Sequence, residues 1–372
     1  MKISFARVWI PAAATLAALA VLGCAQAGTG TAGGPTPSTD DQTVSADQPW
    51  PIQTREHVDL WLHGFALLQD DTSRVPLFRR GYRDELIVAR NARGVSTLLD
   101  VNRGDLRERF VQNRLLFNAQ FVPLYFRSAS DLRQAIDYFL RAEGNPQAAP
   151  SREVATIISL LAGYFPAQGD RNWLRVFWEG LSDESVKFYH DYWVQEQRRR
   201  ADVLTAVESL WQRVYRPRLQ TYLANTQQGR GSLLLSLPLN GEGRTLNLGA
   251  SGALVAVTFP DQPAIAIDAI YVAIHELAIS VTQTAVTDNL TPAEQREGLG
   301  ERYASAAAVR GGAMLLQRMA PELADGYARY YLRAANQPAG SNVQTSLANA
   351  FPLTDAIRAA ITSQLDVVLG GI

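Results

Sequence analysis

His275 and Glu276 are adjacent ionisable side chains inside a long apolar stretch, residues 268–286. Read at helical spacing, Ile270, Ile274, Leu277, Val281 and Ala285 recur at three- and four-residue steps and define one packed face. His275 lies beside that face, with Tyr271, Ala278, Ile279 and Thr282 as same-side neighbours. A polar pair in such surroundings must find hydrogen-bond partners or cost about 2 kcal/mol or more. That demand makes the pair the leading site candidate.

Other chemistries find less support. His57 and His63 are six residues apart and cannot share a helix face as a local metal pair, and His190, between Tyr189 and Asp191, reads as structural. No Gly-x-Ser-x-Gly elbow occurs, and Gly249-Ala250-Ser251-Gly252 fits a hairpin turn better. Gly298-x-Gly300 lacks the third glycine and preceding strand of a dinucleotide loop, and there is no Walker sequence. Nothing in the sequence recommends a carboxylate pair for glycoside hydrolysis, whose spacing is a property of the fold.

The elements around the pair fall into two halves. Between Pro76 and Thr226 the pattern predicts amphipathic helices over 77–91, 105–113, 129–142, 152–164 and 171–181, and a long one from Asp183 to Ala224 with a break near Pro217. Ser182-Asp183-Glu184-Ser185 reads as the cap of that last helix. Its aromatics, Phe188, Tyr189, Tyr192, Trp193, Trp211 and Tyr215, read as a packed interface, and Arg198-Arg199-Arg200 as a solvated face. At Thr226 the character changes. Short β-type runs at 232–239, 244–248 and 253–259, separated by glycine-rich turns, predict a small antiparallel meander that delivers the chain into the His275 helix. Thr291-Pro292-Ala293-Glu294 starts another helix, loosened at Gly298 and Gly300 and resuming at Glu301, with further helices over 321–335 and 354–369. The expected fold is α+β, predominantly α-helical. Residues 50–226 form a helical region and 227–372 an α+β region, read as one compact unit.

Nearly half the residues are hydrophobic, 19% are charged and the formal net charge is −1, so neither disorder nor a nucleic-acid partner is indicated. Lys2 and Arg7 precede an apolar run from Val8 to Leu22 that ends in Val21-Leu22-Gly23-Cys24. This resembles a bacterial lipoprotein signal peptide with its lipobox. The resemblance implies cleavage after residue 23, lipid (thioether-linked, with palmitate-type acyl chains) on Cys24, and a chain tethered in the cell envelope. Ala25 stands where an inner-membrane retention signal would place Asp, which favours the outer membrane, facing the periplasm. Cys24 is the single cysteine, so no internal disulfide can form. Residues 24–49, rich in Gly, Thr, Ser, Pro, Asp and Gln, read as a flexible tether.

A small sheet, then an apolar helix with His-Glu, then a second helix bearing glutamates is similar to the catalytic half of zincin metallopeptidases, nearest to the gluzincin branch. In that family a His-Glu-x-x-His helix supplies two zinc ligands and a general base, the next helix supplies a glutamate ligand, and a sheet edge holds the substrate extended. The resemblance implies zinc on His275 and Glu301 (Glu297 as second choice), Glu276 as base, and 254–259, with Leu254, Val255 and Val257, as the substrate edge strand. The sequence departs from the pattern at Ile279, which occupies the second histidine position. The reading is therefore a degenerate, pseudoenzyme-like domain on a lipid-anchored envelope protein, binding a peptide or protein rather than cleaving it. Two alternatives stay open: an active zinc metallohydrolase with an atypical ligand set, and a purely structural helical lipoprotein whose helical N-terminal part is the interaction surface; the plain reading of the His-Glu pair is one that satisfies itself, joined by Arg302 or Arg310, and holds two helices together.

Overall fold

The computed structural model describes residues 43–44, 49–249 and 252–370. Cys24, the signal-like segment and most of the tether lie outside the described residues, as do Ala250 and Ser251 of the predicted turn. In chain order the elements used below are β1 (Thr43–Val44), β2 (Ile52–Gln53), α1 (Glu56–Leu68), α2 (Tyr82–Ala92), α3 (Leu98–Val101), α4 (Gln168–Glu184), α5 (His190–Arg199), α6 (Ala201–Ser209), β3 (Gly231–Ser236), β4 (Arg244–Asn247), β5 (Ala253–Thr258), α7 (Ile267–Asn289), α8 (Gly300–Met319), α9 (Pro321–Ala334) and α10 (Asp355–Val368). Shorter helices fill the span between α3 and α4. The fold is predominantly helical with one small mixed sheet.

The sheet order is β1-β2-β3-β5-β4. This corrects the expected antiparallel meander, because β3 pairs parallel to β5 and only β4, at the far edge, runs antiparallel to it. The physical reason is present in the sequence. Leu233–Leu235 and 253–257 are unbroken apolar runs, and every one of those residues is buried, as strands covered on both faces require. A meander with one wet face would alternate.

The two halves share this sheet and one core. Ile52 and Gln53 of β2 pair with Leu233 and Leu234 of β3. Around that seam Trp50 donates its indole N–H to the Gln228 carbonyl (3.0 Å), and Gln212 donates to the Trp50 carbonyl (2.7 Å).

The predicted long helix from Asp183 does not begin there. α4 continues through Ser182, whose hydroxyl bonds back to the Trp178 carbonyl (2.9 Å) as a mid-helix serine does, and it leads into a π-helical turn, Ser185–Tyr189. The run then breaks at Arg200. That residue is also not on a solvated face: it is 1% exposed, with its guanidinium donating to the Phe259 carbonyl (2.6 Å) and to Glu196 (3.1 Å). Phe188, Tyr189, Trp193, Trp211 and Tyr215 are buried as core residues. The Thr291 capping box with Pro292 at N1 forms as read, and Gly298 turns the chain at φ +69° before α8.

α7 is apolar nearly all round because it is a core helix, packed on β5, α8, α9 and α10. By length and composition it could span a membrane, but most of it is buried within the fold. It packs along α8, where Gly311 faces Thr282. A β-carbon at Gly311 would sit 2.2 Å from Thr282 Cγ2, so glycine is what lets the two axes approach.

Candidate functional site

α7 carries His275 and Glu276 to the end of the sheet where β4 begins. Both are almost fully buried, at 3% and 1% exposed. Glu276 Oε1 accepts two hydrogen bonds, from the backbone N–H of Gly243 (3.1 Å) and from His275 Nδ1 (3.0 Å). With the carboxylate ionised it can only accept. The imidazole hydrogen then sits on Nδ1, and Nε2 is left as an acceptor. Among the described residues no hydrogen bond reaches His275 Nε2. One face of the ring stacks on Tyr331 of α9 (centroids 5.2 Å, 21°), and Tyr331 in turn donates its hydroxyl to the Gly241 carbonyl (3.0 Å).

The pair therefore grips a loop. Residues 241–243, immediately before β4, are held at Gly243 by Glu276 and at Gly241 by Tyr331. A β-carbon on Gly243 would lie 2.1 Å from the Ala256 carbonyl oxygen and 3.1 Å from Glu276 Cγ, so this position admits only glycine without rearrangement. The pair is buried and bonded to itself as expected, and its contact to Gly243 runs from a helix to a strand entrance.

The residues do not assemble a zinc site. Ile279 stands one turn from His275 and offers no ligand atom. Glu301 is at the start of α8, next to Gly300, where a β-carbon would touch Leu290 Cδ1 (3.2 Å) at the far end of α7. From His275 to Leu290 is about 22 Å along a helix rising 1.5 Å per residue. Glu297 is exposed beyond the same end. No group of three His, Cys, Asp or Glu side chains able to hold a metal occurs among the described residues. The donor set does not fit the ion that the zincin resemblance implies.

The strand expected to be the edge is not one. Leu254, Val255 and Val257 lie on β5, which is interior and hydrogen-bonded on both sides, by β3 and β4. The edge is β4. Its register pairs Arg244 with Ala256 and Leu246 with Leu254, and Leu248 N–H donates to the Gly252 carbonyl (2.8 Å) just beyond. On the other side of β5, Ala253 and Phe259 donate to the β3 side. The parity is thus fixed: Arg244, Leu246 and Leu248 bond inward, and the backbone N–H and C=O of Thr245 and Asn247 point away from the sheet. Asn247 and Leu248 are exposed. Near the head of β4 the Arg244 guanidinium lies over the Phe121 ring (4.9 Å), and its charge is felt at the Tyr164 hydroxyl, which faces Tyr125 (3.3 Å).

Sequence reasoning missed a second polar system. Glu56, Asp59 and His63 stand at i, i+3 and i+7 on one stripe of α1, a spacing legible without a structure. Glu56 meets His190 (3.1 Å). Asp59 accepts from Trp193 (2.9 Å) and Ser236 (2.6 Å). His63 Nε2 bonds Glu184 (3.0 Å), which also accepts from Thr97 (2.7 Å) and pairs with Arg90 (3.3 Å). Burial holds His63 below its ordinary range despite Glu184. Burial by itself would raise Glu184, but His63, Arg90 and Thr97 outweigh it and keep the carboxylate below its usual value. A neutral imidazole donating to an ionised carboxylate satisfies both directions. With its ring against Tyr189 (4.3 Å), this network reads as a sealed core joint between α1, α2, α3 and α4.

Comparison with protein-family models, curated proteins and solved structures finds no match to the chain.

Proposed function

We propose that this is a lipid-anchored envelope protein whose α+β domain captures an extended peptide segment along the open edge of β4. The observation that carries the reading is the parity of that edge. Two consecutive outward-facing backbone positions, Thr245 and Asn247, offer N–H and C=O groups with no strand beside them among the described residues. Edge addition uses those groups for affinity and alternate side chains for selectivity. The buried His275–Glu276 pair serves this function by fixing the loop from which β4 starts. The Cys24 lipobox supports the anchor.

Thr245→Pro tests this directly. Proline removes an outward N–H and no ladder bond, as tolerated on strand edges, so the circular dichroism spectrum should be unchanged while binding of dye-labelled, β-prone peptides is lost. Binding that survives Thr245→Pro would overturn the proposal. So would purified protein carrying near-stoichiometric zinc that His275→Ala removes, which would restore the metallohydrolase reading.

A further inference from the structure

We infer that a free α-amino acid, taken as its zwitterion, binds beyond the carboxyl ends of the parallel strands, with its ammonium on Asp268 and its carboxylate on Arg333 and Tyr330; this does not depend on edge capture by β4. Two helices bring the groups together. Asp268 and Tyr271 stand at i and i+3 at the start of α7, the helix that follows β5, and Tyr330 and Arg333 stand at i and i+3 near the end of α9. The two pairs face each other. The Tyr271 and Tyr330 rings are 5.8 Å apart (48°), and the Arg333 guanidinium lies over the Tyr330 ring (5.8 Å). Tyr331 bonds the Gly241 carbonyl in the segment that follows β3, so the cluster sits past the ends of both parallel strands, where open parallel sheets take ligands. Arg80 pins the end of α9 by donating to the carbonyls of Arg333 (2.7 Å) and Ala334 (3.1 Å).

What marks the place is polar capacity that the chain itself leaves unused. The Tyr330 side chain is 6% exposed, and its hydroxyl has no hydrogen-bond partner among the described residues, against the habit of buried tyrosines. Burial and then the charge of Asp268 push that hydroxyl far above its ordinary range, and Arg333 pulls the other way, so it lies in the field of both. Asp268 is half-buried. Burial pushes its carboxyl up to about 6, against the pull of Arg333 and with a smaller push from the exposed Asp261. Asp268 and Arg333 thus feel each other, yet no side-chain hydrogen bond or ion pair within 4.0 Å joins either to a described residue. Toward Tyr215, Arg218 is already paired with Glu322. Opposite charges held apart in a half-buried place select the ligand. An anion alone would meet Asp268 and Asp261, a cation alone would meet Arg333, and a neutral polyol would leave both charges without counter-ions where water is scarce. An α-amino acid carries an ammonium and a carboxylate on one carbon and answers both, through charge-assisted bonds to Asp268 on one side and to Arg333 and the Tyr330 hydroxyl on the other. The Tyr271 and Tyr330 rings add cation–π attraction for the ammonium.

The test titrates each of the twenty common L-amino acids into the full chain in detergent, read by isothermal calorimetry. At least one should bind saturably. Its amide, which lacks the carboxylate, and its N-acetyl form, which lacks the ammonium, should each bind at least about tenfold more weakly. Arg333→Gln, at an exposed position, should weaken the parent amino acid about tenfold and leave the residual affinity for the amide unchanged. Asp268→Asn should weaken the parent and spare the N-acetyl form, and Tyr330→Phe should weaken the parent more than the amide. No saturable binding by any of the twenty overturns the inference, and so does an amide or N-acetyl form that binds as well as its parent. Parent affinity unchanged in both Arg333→Gln and Asp268→Asn overturns the site. The ligand comparisons are made on the wild-type chain, so a misfolded variant does not shield the proposal. Thr245→Pro should leave amino-acid binding intact, which keeps this outcome separate from that of edge capture.

Discussion

Removing the Glu276 carboxylate separates a structural clamp from a catalytic base. In Glu276→Ala two hydrogen bonds to a nearly fully buried acceptor disappear, and with them the acceptor that holds the Gly243 N–H and the His275 Nδ1 hydrogen. Each charge-assisted bond contributes about 1.5–3 kcal/mol, and relief from burying a charge returns part of that, so the net loss should be about 3–5 kcal/mol. Glu276→Gln differs in kind. With its oxygen in the place of Oε1 the amide still accepts from both Gly243 and His275, as neutral rather than charge-assisted bonds, and its NH2 takes the buried place of Oε2, so the cost should be about 1–2 kcal/mol. The assay is urea unfolding followed by tryptophan fluorescence, with hydrogen exchange read at Gly243 and along β4. Glu276→Ala should lower the midpoint and speed exchange in β4 first, and Glu276→Gln should do little of either. A Glu276→Ala protein within about 1 kcal/mol of wild type, with β4 protection intact, would refute the clamp.

Acid should weaken the fold through His57, which burial and the Arg55 charge lower from 6.5 to about 4 while its Nε2 donates to the Phe126 carbonyl (3.2 Å). The unfolded chain takes up that proton first, so the contribution is complete above pH 6.5 and is lost as pH falls to about 4, worth about 3 kcal/mol. His57→Gln should flatten that part of a stability-versus-pH curve. Gly311→Ala should cost about 1–3 kcal/mol in chemical denaturation by forcing α7 from α8, and Thr282→Ala in the same chain should recover most of it. Cys24→Ser should move the expressed protein from the membrane fraction to the soluble one, read by fractionation and immunoblot.

Helices are the legible part of this chain because their signals are local. The Thr291-Pro292-Glu294 start, the ends at Arg152 and Tyr164, and the apolar surround of α7 each depend on residues within a turn or two. Where local signals mislead, the cause is context. Ser182-Asp183-Glu184-Ser185 has the composition of a cap, but Glu184 is aimed inward at His63, Thr97 and Arg90, from segments about 90–120 residues earlier, and a buried ion network outweighs a surface cap. Arg200 misleads in the same way: three consecutive arginines look solvated until one of them finds the Phe259 carbonyl at the end of β5.

The site turns on a question of neighbours that periodicity cannot answer. The three strand segments are recognisable, yet which one is the edge depends on pairing between β3 and β5 and on the arrival of β2 from the N-terminal side, contacts about 20 and 180 residues apart in sequence. Placing β4 rather than β5 outermost moves the exposed ladder from a fully buried strand, Ala253–Thr258, to one that reads Arg-Thr-Leu-Asn. An apolar edge would invite any β-prone chain and aggregate. On the proposed reading, a four-residue edge held in register from behind by Glu276 and Tyr331 takes one strand without presenting a long apolar ladder. Ile279, one turn along from His275, offers no ligand atom, and the buried pair is already engaged in holding that strand entrance.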